Sequence, residues 1–444
     1  MFLSAVLLTA CAAPVPSITP PTPSPLAGRA GEGSPTATPI PPTATPVPGL
    51  VVNAAQSLGE INPLVFGSNY GPWLFVTLDM RQSAKDARLT YMRYPGGNWG
   101  DQNDLDEWQI DQFIALCKEI GCQPAISVRL RGGTPEKAAA LVKMVNIDKG
   151  YKVEWWSIGN EPSLYPDYDT VRYNAEWRQF AAAMRAVDPK IKLNGPDTHQ
   201  FTADLASNPK DKNGKDWLEE FLKANGDQVD AVVIHRYAFP GADRVPPTIA
   251  QLRENSREWD AIIPALKAQV KQFTGKDLPV GVTEVNSSWS ANIGGEATMD
   301  SHYNAIWWGD CLGRMICQGT SIVAQFALVG EWGLMGKWEV VPIYYVYRMY
   351  QNFGSQRVAA RSDDPHVSVF AAKRKDGALT VMLINLEDTP VEKPLRLEGI
   401  KPAAQAEVWL FDQTHKAEKQ PSQALGEKIT LPAQSMTLLV IPNP

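Results

Sequence analysis

A chain of 444 residues, 44% of them apolar, is long enough for a closed barrel with a small companion and too apolar to be disordered throughout. Its 42 basic and 48 acidic residues leave a net charge of −6 with no basic stripe, which excludes a nucleic-acid backbone as the expected partner. The 14 Trp are many for this length, although such rings fill cores more often than they bind ligands.

The first element is an apolar run from Phe2 to Ala10, broken only by Ser4 and Thr9 and closed by Cys11. Leu8-Thr9-Ala10-Cys11 has the form of a bacterial lipobox, with small residues for a signal peptidase and a thiol for lipid attachment. Residues 1–11 are therefore expected to be a lipoprotein signal peptide with Cys11 as its lipidation site. No Lys or Arg precedes the run, so a start farther upstream stays open. The protein is expected to be exported, either a cell-surface lipoprotein or extracellular. Residues 12–48 are dominated by Pro, Thr, Ser, Ala and Gly, which bury too little apolar area to offset ordering entropy, and are expected to form a disordered linker. No later run is long and apolar enough to span a bilayer, which leaves the lipid anchor as the only expected membrane contact.

From residue 49 to 354 strand and helix patterns alternate. Strands are predicted at 64–69, 89–94, 123–130, 153–159, 190–195, 229–235, 278–283 and 322–329, several of them nearly continuous apolar runs of the kind found in parallel sheets covered on both faces. Between them, Ile110, Phe113, Ile114, Cys117 and Ile120 fall on one helical face, as do Tyr173, Trp177, Phe180, Met184 and Val187. A third face carries Trp259, Ile262, Ile263, Leu266, Val270 and Phe273, where Pro264 is expected to kink or divide the helix. Eight such strands predict a (β/α)8 barrel rather than an open doubly wound sheet, because no glycine-rich phosphate loop follows the first strand. Residues 355–444 change to short strands with turns, including the hairpin signal Asp376-Gly377, and are expected to form an antiparallel β-sandwich that the strand near 50–54 joins. Cys117, Cys122, Cys311 and Cys317 leave paired and free thiols both open.

Two carboxylates stand where predicted barrel strands meet their loops. Trp155-Trp156-Ser157-Ile158-Gly159-Asn160-Glu161 closes the fourth strand, and Pro279-Val280-Gly281-Val282-Thr283-Glu284 the seventh. On a closed barrel both positions open onto one cleft. Two carboxyls about 5–5.5 Å apart suit glycosidic cleavage with retention: one protonates the leaving oxygen, the other attacks the anomeric carbon. Asn160, directly before Glu161, offers an amide to a sugar 2-hydroxyl. No metal-ligand spacing appears among the His residues and no Gly-x-Ser-x-Gly elbow occurs, so neither a metal, a cofactor nor a serine nucleophile is expected.

The segment Trp156-Ser157-Ile158-Gly159-Asn160-Glu161-Pro162-Ser163-Leu164-Tyr165 resembles the acid/base segment of clan A glycoside hydrolases, notably heparanase-like β-glucuronidases and family 44 endoglucanases. Arg93-Tyr94-Pro95-Gly96-Gly97-Asn98 is similar to the second-strand segment of family 51 α-L-arabinofuranosidases, and the family 39 β-xylosidases share the barrel-plus-sandwich layout. The resemblance implies Glu161 as acid/base, Glu284 as nucleophile and Asn160 as a substrate-positioning residue. It also implies that His235 and Tyr237 contact the nucleophile or substrate and that Arg93 keeps the nucleophile ionised. Asn98, Trp99 and Trp332 are expected to contact sugar, and Glu331 is the rival carboxylate. Val285 stands where the arabinofuranosidases usually carry Trp, so arabinofuranosidase, xylosidase and endo-β-glycanase all stay open.

The expectation is thus a retaining glycoside hydrolase acting on an oligo- or polysaccharide of plant or microbial origin. The alternative is a non-catalytic carbohydrate-binding lipoprotein on a barrel scaffold.

Overall fold

The computed structural model describes residues 48–239, 245–290 and 292–442; the expected signal peptide, Cys11 and the linker up to residue 47 lie outside them. The first strand, β1 (Leu50–Glu60), precedes eight that close a barrel. These are β2 (Gly67–Asn69), β3 (Tyr91–Tyr94), β4 (Gln123–Val128), β5 (Trp155–Ile158), β6 (Lys192–Thr198), β7 (Ala231–Tyr237), β8 (Val280–Asn286) and β9 (Ile322–Gln325). Every neighbouring pair is parallel, and β2 pairs with β9 to remove both edges. Each barrel strand falls within or beside the segment predicted for it. Five of the eight are buried along their whole length and the rest along most of it, which is why several read as continuous apolar runs rather than alternating ones.

The covering helices show how local sequence sets the frame. Glu107–Ile120 starts with a capping box between Asp106 and Gln109 and stops at Gly121, whose φ of 86° is one that glycine adopts without steric cost. Its predicted stripe is buried, and Phe113 stacks on Tyr94 at 4.3 Å, so this helix braces the end of β3. Replacing such a buried ring by Ala typically costs about 3–5 kcal/mol. Helix Trp259–Thr274 corrects one expectation: it runs unbroken through Pro264. Pro264 is exposed, so the carbonyl that loses its helical partner faces water instead of core.

The last strands are β10 (Gln356–Ser362), β11 (Val367–Lys373), β12 (Leu379–Asn385), β13 (Val391–Glu398), β14 (Gln405–Phe411), β15 (Lys416–Ala424), β16 (Lys428–Leu431) and β17 (Ser435–Ile441). They form a curled sheet in the order β15-β14-β17-β12-β11-β10-β1-β13-β16. As expected, β1 joins it; its pairing with β13 is parallel in an otherwise antiparallel sheet. One face closes on itself around Val52, Val369, Val381 and Leu439, a sandwich core. The other contributes Phe370, Met382 and Leu438 to the core that continues into the barrel. Alternation along each strand serves both faces at once. Cys117, Cys122, Cys311 and Cys317 are free thiols.

Candidate active site

Two β-bulges aim the polar residues of the barrel mouth. Along β8, Val282 pairs with Ile234 and Glu284 with His235, which leaves Thr283 out of register. Thr283 and Glu284 consequently both turn toward the axis, Thr283 to donate to Asp197 and Glu284 to meet Arg93. In β6 the residue skipped is Asp197 itself, at φ 54°. Glu161 lies just past β5, also left-handed at φ 43°, a conformation that costs a non-glycine residue of order 1–3 kcal/mol and persists only where surroundings enforce it. Here the enforcement comes from Asp101 and the Tyr165 hydroxyl. Asp101 accepts from the Asn160 N–H at 3.2 Å, the Tyr165 oxygen lies 3.2 Å from the same N–H, and Tyr165 donates to Asp101.

Arg93, fully buried at the end of β3, ties the two carboxylate-bearing strands together. Its Nη1 donates to Glu284 Oε1 at 2.7 Å and to Asn69 Oδ1 at 3.2 Å, while Nη2 donates to Asn160 Oδ1 at 2.7 Å. Glu284 accepts two more bonds, from the Gly97 N–H at 2.7 Å and the Tyr237 hydroxyl at 2.8 Å. Gly97 is needed for the approach: it sits at φ 64°, and a Cβ there would press on the Phe326 ring at 3.2 Å. Asn160 passes its other amide end to Asn98 Oδ1 at 2.8 Å. His235 bridges the carboxylates, its Nδ1 lying 2.9 Å from Glu161 Oε1 and 3.7 Å from Glu284 Oε2, and its Nε2 3.3 Å from Asp197. One oxygen of Glu161, one of Glu284 and a His235 ring nitrogen all lie within 4.8 Å of one another.

The two carboxyls are driven apart in acidity. Burial, together with the nearby Glu284 charge, raises Glu161 above the ordinary carboxyl value, against the opposing pull of His235. Burial pushes Glu284 the same way, but the positive charges of His235 and Arg93 and the bonds from Tyr237 and Gly97 outweigh it and hold Glu284 low. For His235, burial works against the charge, yet Glu284, Asp197 and Glu161 surround the ring and lift it to about 9, so it is an imidazolium at neutral pH. Arg93 and His235 thus balance Glu284 and Asp197, while Glu161 is shifted toward its protonated form.

Above these groups lies a cavity of about 580 Å³. Glu161, Glu284, Tyr237 and Asn98 reach it, and Trp73, Trp289, Phe326 and Trp332 give it aromatic walls. The Trp332 N–H is fixed by the Trp289 carbonyl at 3.0 Å. Trp99 is not among the residues lining the cavity; its ring lies 6.4 Å from that of Trp73, which is. Glu331 is exposed and takes no part in the cluster. Sequence reasoning missed Asn69, Gly97, Asp101, Tyr165 and Asp197, together with Trp73, His199 and Gln200 on the walls. The polar runs Ser68-Asn69 and Gly195-Pro196-Asp197, closing otherwise apolar strands, were the available signal.

No family model matches the chain. In sequence it is similar to an intracellular exo-α-L-arabinofuranosidase of Bacteroides ovatus, 20% identical over 388 residues, spanning 70% of this chain and 72% of that protein. A probable α-L-arabinofuranosidase C of Aspergillus clavatus is 22% identical over 203 residues, which span only 40% of its length. In structure the chain is similar to CelM2, a bifunctional glucanase-xylanase from a metagenome library, with a TM-score of 0.70, 21% identity, and 90% of this chain and 100% of that one covered. The α-L-arabinofuranosidase of Thermotoga maritima gives a TM-score of 0.72 at 15% identity, covering 88% and 99%. The expectation of an exported or cell-surface protein is corrected here, because the Bacteroides relative is named as intracellular. Among the described residues no helix is long and apolar enough to cross a membrane. Barrel fold, paired carboxylates and sequence likeness together make the chain an O-glycosyl hydrolase that resembles the clan A glycoside hydrolases.

Proposed function

We propose that the protein cleaves glycosidic bonds of plant or microbial oligo- and polysaccharides with retention, Glu284 acting as nucleophile and Glu161 as acid/base. The observation that carries this reading is the approach of one oxygen from each carboxyl to within 4.8 Å, too close for a water to attack from the far side of the sugar and suited to direct attack.

In the first step Glu284 attacks the anomeric carbon as the bond to the leaving oxygen breaks and Glu161 delivers its proton there. In the second, water replaces Glu284 while Glu161 takes the water's proton. The opposed acidities support this division of labour, because an ionised nucleophile and a protonated acid must coexist at one pH. Esterification of Glu284 cancels its charge, and Glu161 then loses a neighbour that kept it protonated, as base catalysis requires. Asn160, held by Arg93, orients the sugar beside the reacting carbon. Trp332 and Trp289 offer faces for the ring that carries it. The non-catalytic alternative loses support, since a sugar-binding barrel has no use for two buried carboxyls whose acidities are driven in opposite directions.

Arabinofuranosides, xylosides and β-glucans are the substrates to assay first, given the names of the similar proteins. The test is a panel of aryl glycosides and polysaccharides on the wild type, Glu284→Ala and Glu161→Ala. Glu284→Ala is expected to abolish turnover. Glu161→Ala should keep activity on substrates with activated leaving groups and recover further with azide. Equal activity of all three proteins overturns the assignment.

A further inference from the structure

We infer that His199, with Leu164 and Gln200, forms the site that receives the leaving-group sugar, and that His199 reads a hydroxyl on it. The inference rests on the proposed roles of Glu161 and Glu284. An acid can protonate only the oxygen beside it, so the departing sugar must lie on the Glu161 side of the cavity. Leu164 and His199 both line the cavity, Leu164 three residues after Glu161 and His199 bonded to Ser163, whereas Gly97 donates to Glu284 and lies against the Phe326 ring.

His199 is built for such a contact. It follows the last residue of β6, and its Nδ1 is fixed by the Ser163 hydroxyl at 2.6 Å, two residues after Glu161. The other ring nitrogen has no partner among the described residues. Burial, with the positive His235 adding to it, lowers His199 to about 4, so the ring is neutral at working pH and offers a polar nitrogen without a charge. Gln200, left-handed at φ 55°, spends its amide oxygen on the Tyr237 N–H at 3.2 Å and leaves its NH2 end for a ligand. Leu164 is half exposed, an apolar face beside two polar ends. A sugar ring offers that same pairing, with C–H groups on its face and hydroxyls on its rim. An aryl leaving group such as 4-nitrophenol shares the flat face and lacks the ring hydroxyls.

The test compares two substrates of one glycone: its 4-nitrophenyl glycoside and its disaccharide, arabinobiose, xylobiose or cellobiose as the activity panel selects. For His199→Ala, kcat/KM on the disaccharide is expected to fall about tenfold further than on the aryl glycoside, the equivalent of one hydrogen bond. His199→Gln, which restores a hydrogen-bonding end, should recover part of the difference, and Ser163→Ala should move the same ratio by less. Equal losses on both substrates for His199→Ala, with no recovery by Gln, overturn the site. Glu161→Ala is run alongside. If it discriminates between leaving groups and His199→Ala does not, the sugar site alone fails; if Glu161→Ala also hits both substrates equally, the acid/base reading fails and takes the site with it.

Discussion

Arg93 and Glu284, from strands far apart in sequence, meet at 2.7 Å in the closed interior of the barrel mouth, one fully buried and the other nearly so. A charge pair in such a place is retained for what it does to its members, because burial alone would neutralise Glu284. Removing the guanidinium leaves a buried carboxylate without its directly bonded cation. Arg93→Met is expected to lose about 3–5 kcal/mol of stability, and the double variant Arg93→Met/Glu284→Gln to regain a large part of it. Denaturant unfolding of the four proteins in this cycle measures the coupling. Simple additivity would mean that the pair is not coupled.

The pH profile follows from the same cluster. On the proposed mechanism, activity needs Glu284 ionised and Glu161 protonated. Glu284 is held below the ordinary carboxyl value, so the acid limb is expected below 4.5; Glu161 is raised, so the alkaline limb is expected above 4.5. In Glu161→Gln, assayed on a substrate with an activated leaving group, the alkaline limb should disappear and the acid limb remain. An alkaline limb that persists unchanged would point to another group.

His235 links the site to stability. Its folded-state value of about 9 lies above the ordinary 6.5, so protonation favours the folded state. Its contribution is fully present below 6.5 and is lost as pH rises through 9. The Tm of the wild type should therefore decline across that window, and His235→Asn should flatten the decline. Parallel curves would mean that the imidazolium gives the fold nothing.

The turn that carries Glu161 is held by Asp101 and Tyr165. Both sit behind the site, outside the reach of substrate, so their loss should act through position. Tyr165→Phe is expected to lower kcat about tenfold with KM little changed, since a misplacement of around 1 Å in an acid costs up to about 100-fold. A loss confined to KM would contradict a positioning role.

Much of this arrangement was legible in the sequence because a barrel strand announces itself twice, as a continuous apolar run and as a polar residue where the run stops. Glu161, Glu284 and Arg93 stand at such strand ends, the resemblance to clan A hydrolases adds His235 and Tyr237, and the structure brings all five together. Asp197 was not legible, since its place depends on a bulge that no period reveals, and Gly97 acts through a backbone N–H that carries no side-chain signature. Trp99 shows the limit of reading residue type alone. Its aromatic type suits a sugar platform, but it is Trp73, in a loop whose path the sequence does not dictate, that lines the cavity, with the Trp99 ring 6.4 Å from it. Pro264 does not divide its helix because it lies on the exposed side, a placement that the residue type alone does not reveal.

The stereochemistry of the first product is the most direct measurement. Proton NMR of the anomeric signal, recorded within the first turnovers of an active aryl glycoside and before mutarotation, reports it without any mutation. Glu161 and Glu284 at their present separation predict a product with the anomeric configuration of the substrate. A first product of inverted configuration would contradict direct attack by Glu284.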